Sequence, residues 1–172
     1  MERFINMKDG MIQMLCNKKH LVALSIFIIL IMITCTGCGD KQSIATTDFI
    51  STMESNDYYI KDVSDQYAAY EFFVDSTLAI NPTNEYQIEF YTFTDEAGAK
   101  NSYDTTKQNQ YDSLEESSSS NTSVEVNNYS KCSLTTDTVY FYMCRIDNTM
   151  VYVKAPVSYK KEIQKIIDKL GY

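Results

Sequence analysis

Two hydrophobic rhythms run through the chain from residue 46 onward. In "EYQIEFYTF", residues 85–93, Tyr86, Ile88 and Phe90 alternate with Gln87, Glu89 and Tyr91. That period of two predicts a strand with one buried face. In the last segment, Ile163, Ile166, Ile167 and Leu170 recur at i, i+3, i+4 and i+7. This predicts an amphipathic helix over residues 158–170, capped by Ser158, with Lys165 and Lys169 toward its negative end and Gly171 closing it. A first helix is predicted over residues 47–56: Thr46 or Thr47 caps it, Asp48 sits in its first turn, and Phe49, Ile50 and Met53 form its apolar side.

The intervening segments follow the same two templates. "YYIKDV" reads as a short strand, and residues 70–80 as a strand rich in aromatic and β-favouring residues. The turn signal "NPTN", residues 81–84, joins that strand to 85–93 as a hairpin. Thr94 then caps a second helix, with Asp95 and Glu96 in its first turn and a polar stripe of Ala99, Tyr103, Lys107, Tyr111 and Leu114. "SSSSNTS", residues 117–123, reads as a mobile loop, and three strands follow at 124–134, 139–146 and 149–155. Asp147 and Asn148 suit a two-residue turn, which would pair Cys144 with Val151 and Tyr142 with Val153. Pro156 ends the last strand. Strands in consecutive groups make hairpins, so the expected class is α+β: an antiparallel sheet of about five to six strands with two to three helices on one face.

The first 37 residues differ in kind. Lys18 and Lys19 precede a nearly unbroken apolar run from Leu21 to Ile33, and Thr34 to Gly37 are small or polar up to Cys38. This is the order of a secretory signal, and the run is shorter than the roughly 20 residues that span a bilayer. Counted through Gly37 the segment approaches that length, which keeps an uncleaved anchor as the alternative. Met1, Met7, Met11 and Met14 are all candidate starts, and Met14 would leave 24 residues before Cys38. Cys35 and Cys38 have CxxC spacing, but no second pair or histidine cluster completes a metal or redox site.

"CTGC" followed by "GD" resembles a bacterial lipobox, with Thr36, Gly37 and Cys38 matching and Cys35 where leucine is usual. The resemblance implies a diacylglyceryl thioether on Cys38 and cleavage between Gly37 and Cys38. The expected organisation is a signal peptide at 1–37, a flexible spacer at 38–46 and one domain at 47–172. Together with the acidic body, the "RIDNT" hairpin and the "KKEIQKIIDKLGY" ending, the lipobox makes the chain similar to small uncharacterised lipoproteins of Gram-positive bacteria. That resemblance implies a protein held on the outer face of the cell membrane through Cys38.

Charge and composition narrow the chemistry. Hydrophobic residues make up 44% and charged residues 22%, an ordinary globular balance. Residues 1–37 hold four basic and two acidic side chains, leaving 11 basic against 21 acidic beyond them, a net of −10. So acidic a body repels phosphate backbones, and nucleic acid is excluded as a partner. The single histidine, His20, lies upstream. The body therefore lacks the residue that Ser-His-Asp, Cys-His and His-ligated zinc or iron sites require. No phosphate loop, calcium loop or other cofactor motif occurs, so no metal or cofactor is expected.

Cys132 and Cys144 are the remaining body cysteines and the candidate disulfide. A three-residue loop at 137–139 would align them, whereas a turn at Thr136 and Asp137 would offset them. All fourteen tyrosines follow residue 57. They suit sheet packing, the reading taken for Tyr140, Tyr142 and Tyr152, and they also suit recognition of sugars or proteins. Asp62, Asp65, Glu71, Asp75, Glu85 and Glu89 offer many carboxylate pairs and single out none. The expected function is a binding domain for a protein, peptide or glycan, with a carboxylate-dependent wall hydrolase or a structural subunit of a membrane complex as alternatives. Metabolic palmitate labelling checks the anchor: the wild-type chain takes up label and Cys38→Ala does not, while equal labelling of the two would sink the lipoprotein reading.

Overall fold

The computed structural model describes residues 40–114 and 117–172. The expected signal peptide, the Gly37–Cys38 cleavage point and the lipidation site at Cys38 lie outside the described residues. The body is α+β, as the patterning predicts. Its elements are α1 (Thr46–Glu54), β1 (Tyr59–Asp62), β2 (Phe73–Ile80), β3 (Gln87–Phe93), α2 (Glu96–Leu114), β4 (Ser118–Val126), β5 (Tyr129–Thr136), β6 (Val139–Ile146), β7 (Thr149–Pro156) and α3 (Lys160–Leu170). Short 3-10 turns occupy Ser64–Tyr67 and Val157–Tyr159. No described helix is long and apolar enough to cross a membrane.

The seven strands form one antiparallel sheet in the order β1-β2-β3-β7-β6-β5-β4. The chain walks outward to inward twice: β1 to β3 as a meander, then across the sheet through α2 to the far edge, then β4 to β7 back to β3. The Asp147–Asn148 turn has the expected register, with Cys144 opposite Val151 and Tyr142 opposite Val153. Asp147 adopts φ 50°, a conformation that aspartate and asparagine tolerate better than most residues.

The sheet exceeds the expected strand count because residues 118–126 are a strand, where a loop was expected. Its sequence is polar, and its residues are exposed or half-buried. An edge strand needs only ladder partners and side-chain contacts along one side. Its ladder runs from Ser118–Thr136 to Val126–Tyr129, and α2 supplies the contacts. Lys100 reaches Glu125 at 2.6 Å, Lys107 reaches Ser123 at 2.8 Å and the Tyr111 hydroxyl donates to Asn121 at 2.7 Å. Lys107 and Tyr111 of the α2 stripe thus face a polar strand, while its Ala99 and Tyr103 turn to the sheet. The strand expected at 124–134 is two strands, broken at Asn127, where φ is 48°.

Helices cover both faces of the sheet rather than the expected single face. On one, Phe49 and Met53 of α1 and Ile163, Ile166, Ile167 and Leu170 of α3 pack against Ile88, Phe90, Cys144, Ile146, Val151 and Val153. On the other, Ala99 and Tyr103 of α2 pack against Phe93, Cys132, Leu134, Phe141, Met143 and Met150. β6 is buried on both faces over nearly its whole length, which explains its unbroken "YFYMCRI". Helix starts differ slightly from expectation. Asp95, not Thr94, accepts from the Gly98 N–H at 2.7 Å, α1 follows Ala45 without a side-chain cap, and a 3-10 turn containing Ser158 delays α3 to Lys160. Gly171 closes α3 in the left-handed conformation, φ 81°.

The stretch expected as a free spacer is tied down from Asp40. Asn128 and Lys41 exchange two hydrogen bonds, Nδ2 to the Lys41 carbonyl at 2.6 Å and the Lys41 N–H to Oδ1 at 3.2 Å. Ser43 donates to Asp147 at 3.2 Å, and the Lys41 ammonium lies 4.7 Å from the Tyr129 ring centre. These contacts join the strap to both turns at one end of the sheet.

The same end is organised by Arg145, which is 1% exposed. Its Nη1 donates to Glu96 Oε1 at 3.0 Å and to the Asp147 carbonyl at 3.1 Å. Its Nη2 reaches Ser130 Oγ at 3.3 Å and the Asn127 carbonyl at 3.5 Å. Removing a buried donor strands its acceptors, so Arg145→Met is expected to cost about 3 kcal/mol. Glu96→Gln is expected to cost less than about 1 kcal/mol, because the Glu96 side chain is 56% exposed. Urea unfolding checks this, and equal costs would show that the ion pair outweighs the hydrogen bonds to the turns.

Burial also sets an alkaline limit. Tyr140 and Tyr172 are pushed up to about 12 chiefly by burial, and burial lifts the thiols of Cys132 and Cys144 to about 11 and about 12. Tyr58, Tyr86, Tyr91, Tyr103 and Tyr142 are raised as well, again first by burial. The folded chain keeps protons that the unfolded chain releases near 9.0 for cysteine and 10.0 for tyrosine. Their contribution is therefore complete below about pH 9 and is lost as pH climbs toward about 12. The urea midpoint is expected to hold steady up to about pH 9 and then fall, and a midpoint unchanged to about pH 12 would contradict it.

Candidate functional site

α2 packs on β3, β5, β6 and β7 and reaches β4 through polar side chains, and a gap separates it from the β2–β3 side of the same face. The segment from the 3-10 turn to the start of β2 fills part of the gap with rings. Tyr67 and Phe73 lie 4.7 Å apart between centres, Phe72 and Phe73 4.9 Å, and Tyr67 and Tyr91 5.6 Å in an edge-to-face pair. The Thr94 N–H donates to the Phe72 carbonyl at 3.0 Å, which pins this segment beside the start of α2. What remains open is a cleft of about 590 Å³, of the size that takes small organic ligands.

One wall of the cleft is aromatic: Tyr67, Tyr70, Phe72, Phe73, Tyr91 and Tyr152. Asn101, Ser102, Thr105 and Thr106, on the outer side of α2, form the other. Glu89 stands on the sheet between them. It is half-buried and lies directly opposite Leu78 on one neighbouring strand and Tyr152 on the other. The Tyr91 hydroxyl donates to Glu89 Oε2, and Gln87 Nε2 donates to Oε1 at 2.8 Å. The Tyr67 and Tyr91 hydroxyls are 3.2 Å apart. Burial and the adjacent Glu89 charge raise the Tyr91 hydroxyl, and the same two causes push Tyr152 up to about 12. Both remain protonated donors at neutral pH. An adjoining hollow of about 360 Å³ shares Glu89 and Tyr152 and adds Glu85 and Lys154. The Lys154 ammonium donates to Gln110 Oε1 at 2.9 Å.

The residues singled out from sequence fare unequally. Cys132 and Cys144 are both free and buried, and they do not form the candidate disulfide. The β5–β6 loop is Asp137–Thr138, which sets the pairing one residue from the aligned register and two from that of a turn at Thr136 and Asp137, so Cys132 faces Met143 while Lys131 faces Cys144. Side chains one position apart along paired strands point to opposite faces, and the two thiols lie in different cores. Tyr140 and Tyr142 are packed in the sheet as expected, but Tyr152 is half-buried and lines the cleft.

Of the named carboxylates, Glu85 and Glu89 line a common hollow. Asp62 and Asp75 meet across the Ser64 hydroxyl at 2.7 and 3.0 Å. The hydroxyl and N–H of Ser64 hold Asp62 below the usual carboxylate range, the opposite of what a general acid needs. Among the described residues, no group of three His, Cys, Asp or Glu side chains is placed to hold a metal ion. The aromatic wall was missed because residues 70–72 read as strand. The strand begins at Phe73, and the signal was the density of rings in "YAAYEFF".

No protein-family model matches the chain, and no curated protein does. A solved structure, that of a GTP binding regulator from Thermotoga maritima, is similar over 72% of this chain and 84% of that one. Sequence identity is 16% and the TM-score 0.40, a likeness that carries no conclusion about this chain.

Proposed function

We infer that the chain is a lipid-anchored extracytoplasmic binding domain, tethered through Cys38, that takes its ligand in the tyrosine-lined cleft without transforming it. The observation that carries the reading is the cleft itself: aromatic side chains on one wall, neutral amide and hydroxyl groups on the other, and tyrosine hydroxyls kept protonated by burial. Aromatic walls with a few convergent polar groups are what a recognition site for a small organic ligand, a peptide or a sugar requires. The tether fits this reading, since two peptide links separate Cys38 from the pinned Asp40. A domain held so closely would present the end of the sheet bearing the 127–128 and 147–148 turns to the membrane.

The second reading, a carboxylate-dependent hydrolase, rests on Glu85 and Glu89 sharing the adjoining hollow. Ligand-observed NMR on the full-length chain separates the two, using amines, dipeptides and soluble cell-wall glycan fragments as probes. Binding by at least one class is expected, weakened about tenfold or more in Tyr70→Ala, whose half-exposed ring carries little of the fold. Ligands indifferent to Tyr70→Ala would overturn the cleft as the site. Turnover of peptidoglycan, lost in Glu89→Gln, would replace the binding reading with the hydrolase.

A further inference from the structure

Among the described residues, Glu89 is the one carboxylate lining the aromatic cleft, and no basic residue lines it. None of the three ion pairs among the described residues includes Glu89. Its two hydrogen-bond donors, the Tyr91 hydroxyl and Gln87 Nε2, are neutral and leave its charge uncompensated. A half-buried carboxylate without a countercharge is costly to keep, more so once a ligand displaces water from around it. Lys154 borders the adjoining hollow, but its ammonium is held by Gln110 at 2.9 Å.

The surroundings of Glu89 favour one kind of countercharge. Tyr152 faces it across the strands and Tyr91 bonds it, with Tyr67 and Phe73 within ring contact of Tyr91 at 5.6 and 5.7 Å. Ring faces are negative and attract cations that shed water easily, which alkylammonium groups do and small metal ions do not. The opposite wall offers only neutral groups, from Asn101, Ser102, Thr105 and Thr106. The net charge of −10 beyond residue 37 adds a field that repels anions and concentrates cations. A neutral sugar would use the rings but leave Glu89 unneutralised.

We propose that the cleft binds a small organic ammonium ion, its nitrogen beside the Glu89 carboxylate and its alkyl groups against the rings of Tyr91 and Tyr152. This rests on the binding reading of the same cleft. Tyr91 and Gln87 orient the carboxylate, and Lys154 is a competitor for it.

The test uses choline and 3,3-dimethyl-1-butanol, its uncharged isostere, titrated by NMR into the full-length chain in a non-ionic detergent. Choline is expected to bind at least about tenfold more tightly than the isostere. Glu89→Gln is expected to remove that difference by weakening choline alone, and Lys154→Ala to tighten choline. Equal affinity of the wild-type chain for the two compounds overturns the proposal, as does Glu89→Gln binding choline like wild type. Should Glu89→Gln fail to fold, the wild-type comparison decides alone. If choline does not bind while oligomers of N-acetylglucosamine do, with loss in Tyr70→Ala, the ammonium proposal falls and the binding reading stands. If nothing tested binds, both fall.

Discussion

A single buried guanidinium organises one end of this domain. Arg145 sits on a strand buried on both faces, and its hydrogen bonds reach the β4–β5 turn, β5, the β6–β7 turn and the first residue of α2. A charge so placed must be met by oxygens. Here the oxygens come largely from turn carbonyls, those of Asn127 and Asp147, whose left-handed conformations aim them inward. Once those turns are set, the side chains of Asn128 and Asp147 are in position to receive Lys41 and Ser43. The attachment of the N-terminal strap is thus a consequence of satisfying Arg145. So is the placement of α2, because Glu96 fixes the first turn of the helix that forms one wall of the cleft.

The cleft follows from how α2 divides its contacts. A helix with only Ala99 and Tyr103 fully buried cannot lie centred on an apolar sheet. It trades burial for polar contacts to β4 through Lys100, Lys107 and Tyr111, spread along most of its length. The β2–β3 side of the same face is then left to Tyr67, Phe72 and Phe73, which cover it without filling it. Edge strand, polar helix and aromatic cleft are parts of one arrangement.

The fold was legible in the sequence wherever periodicity and burial agreed. The helix at 160–170 shows its apolar face because four aliphatic residues meet one core, and the Asp147–Asn148 hairpin shows its register because a two-residue turn permits only one. Legibility failed where a neighbour supplies the reason. Residues 118–126 carry no apolar face, and only α2 and β5 make them a strand. Cys132 and Cys144 were undecidable because a one-residue change in loop length moves a side chain to the opposite face. The cleft was illegible for a further reason. Glu89 was one carboxylate among many until the fold set it beside Tyr91 and Tyr152, with Lys154 of the adjoining hollow held by Gln110.

The absence of histidine from the body gives the tyrosines their meaning. A site that moves protons near neutral pH needs a group that titrates there. The hydroxyls of Tyr91 and Tyr152 are displaced the other way, upward, by burial and by Glu89. Such groups donate hydrogen bonds steadily and exchange protons poorly. Tyr91 bonds the Glu89 carboxylate and helps fix its orientation without neutralising it, which on the proposed reading leaves its charge for a ligand to answer. On the proposed reading, the same burial that costs the domain its alkaline stability makes the cleft a recognition site rather than a catalytic one.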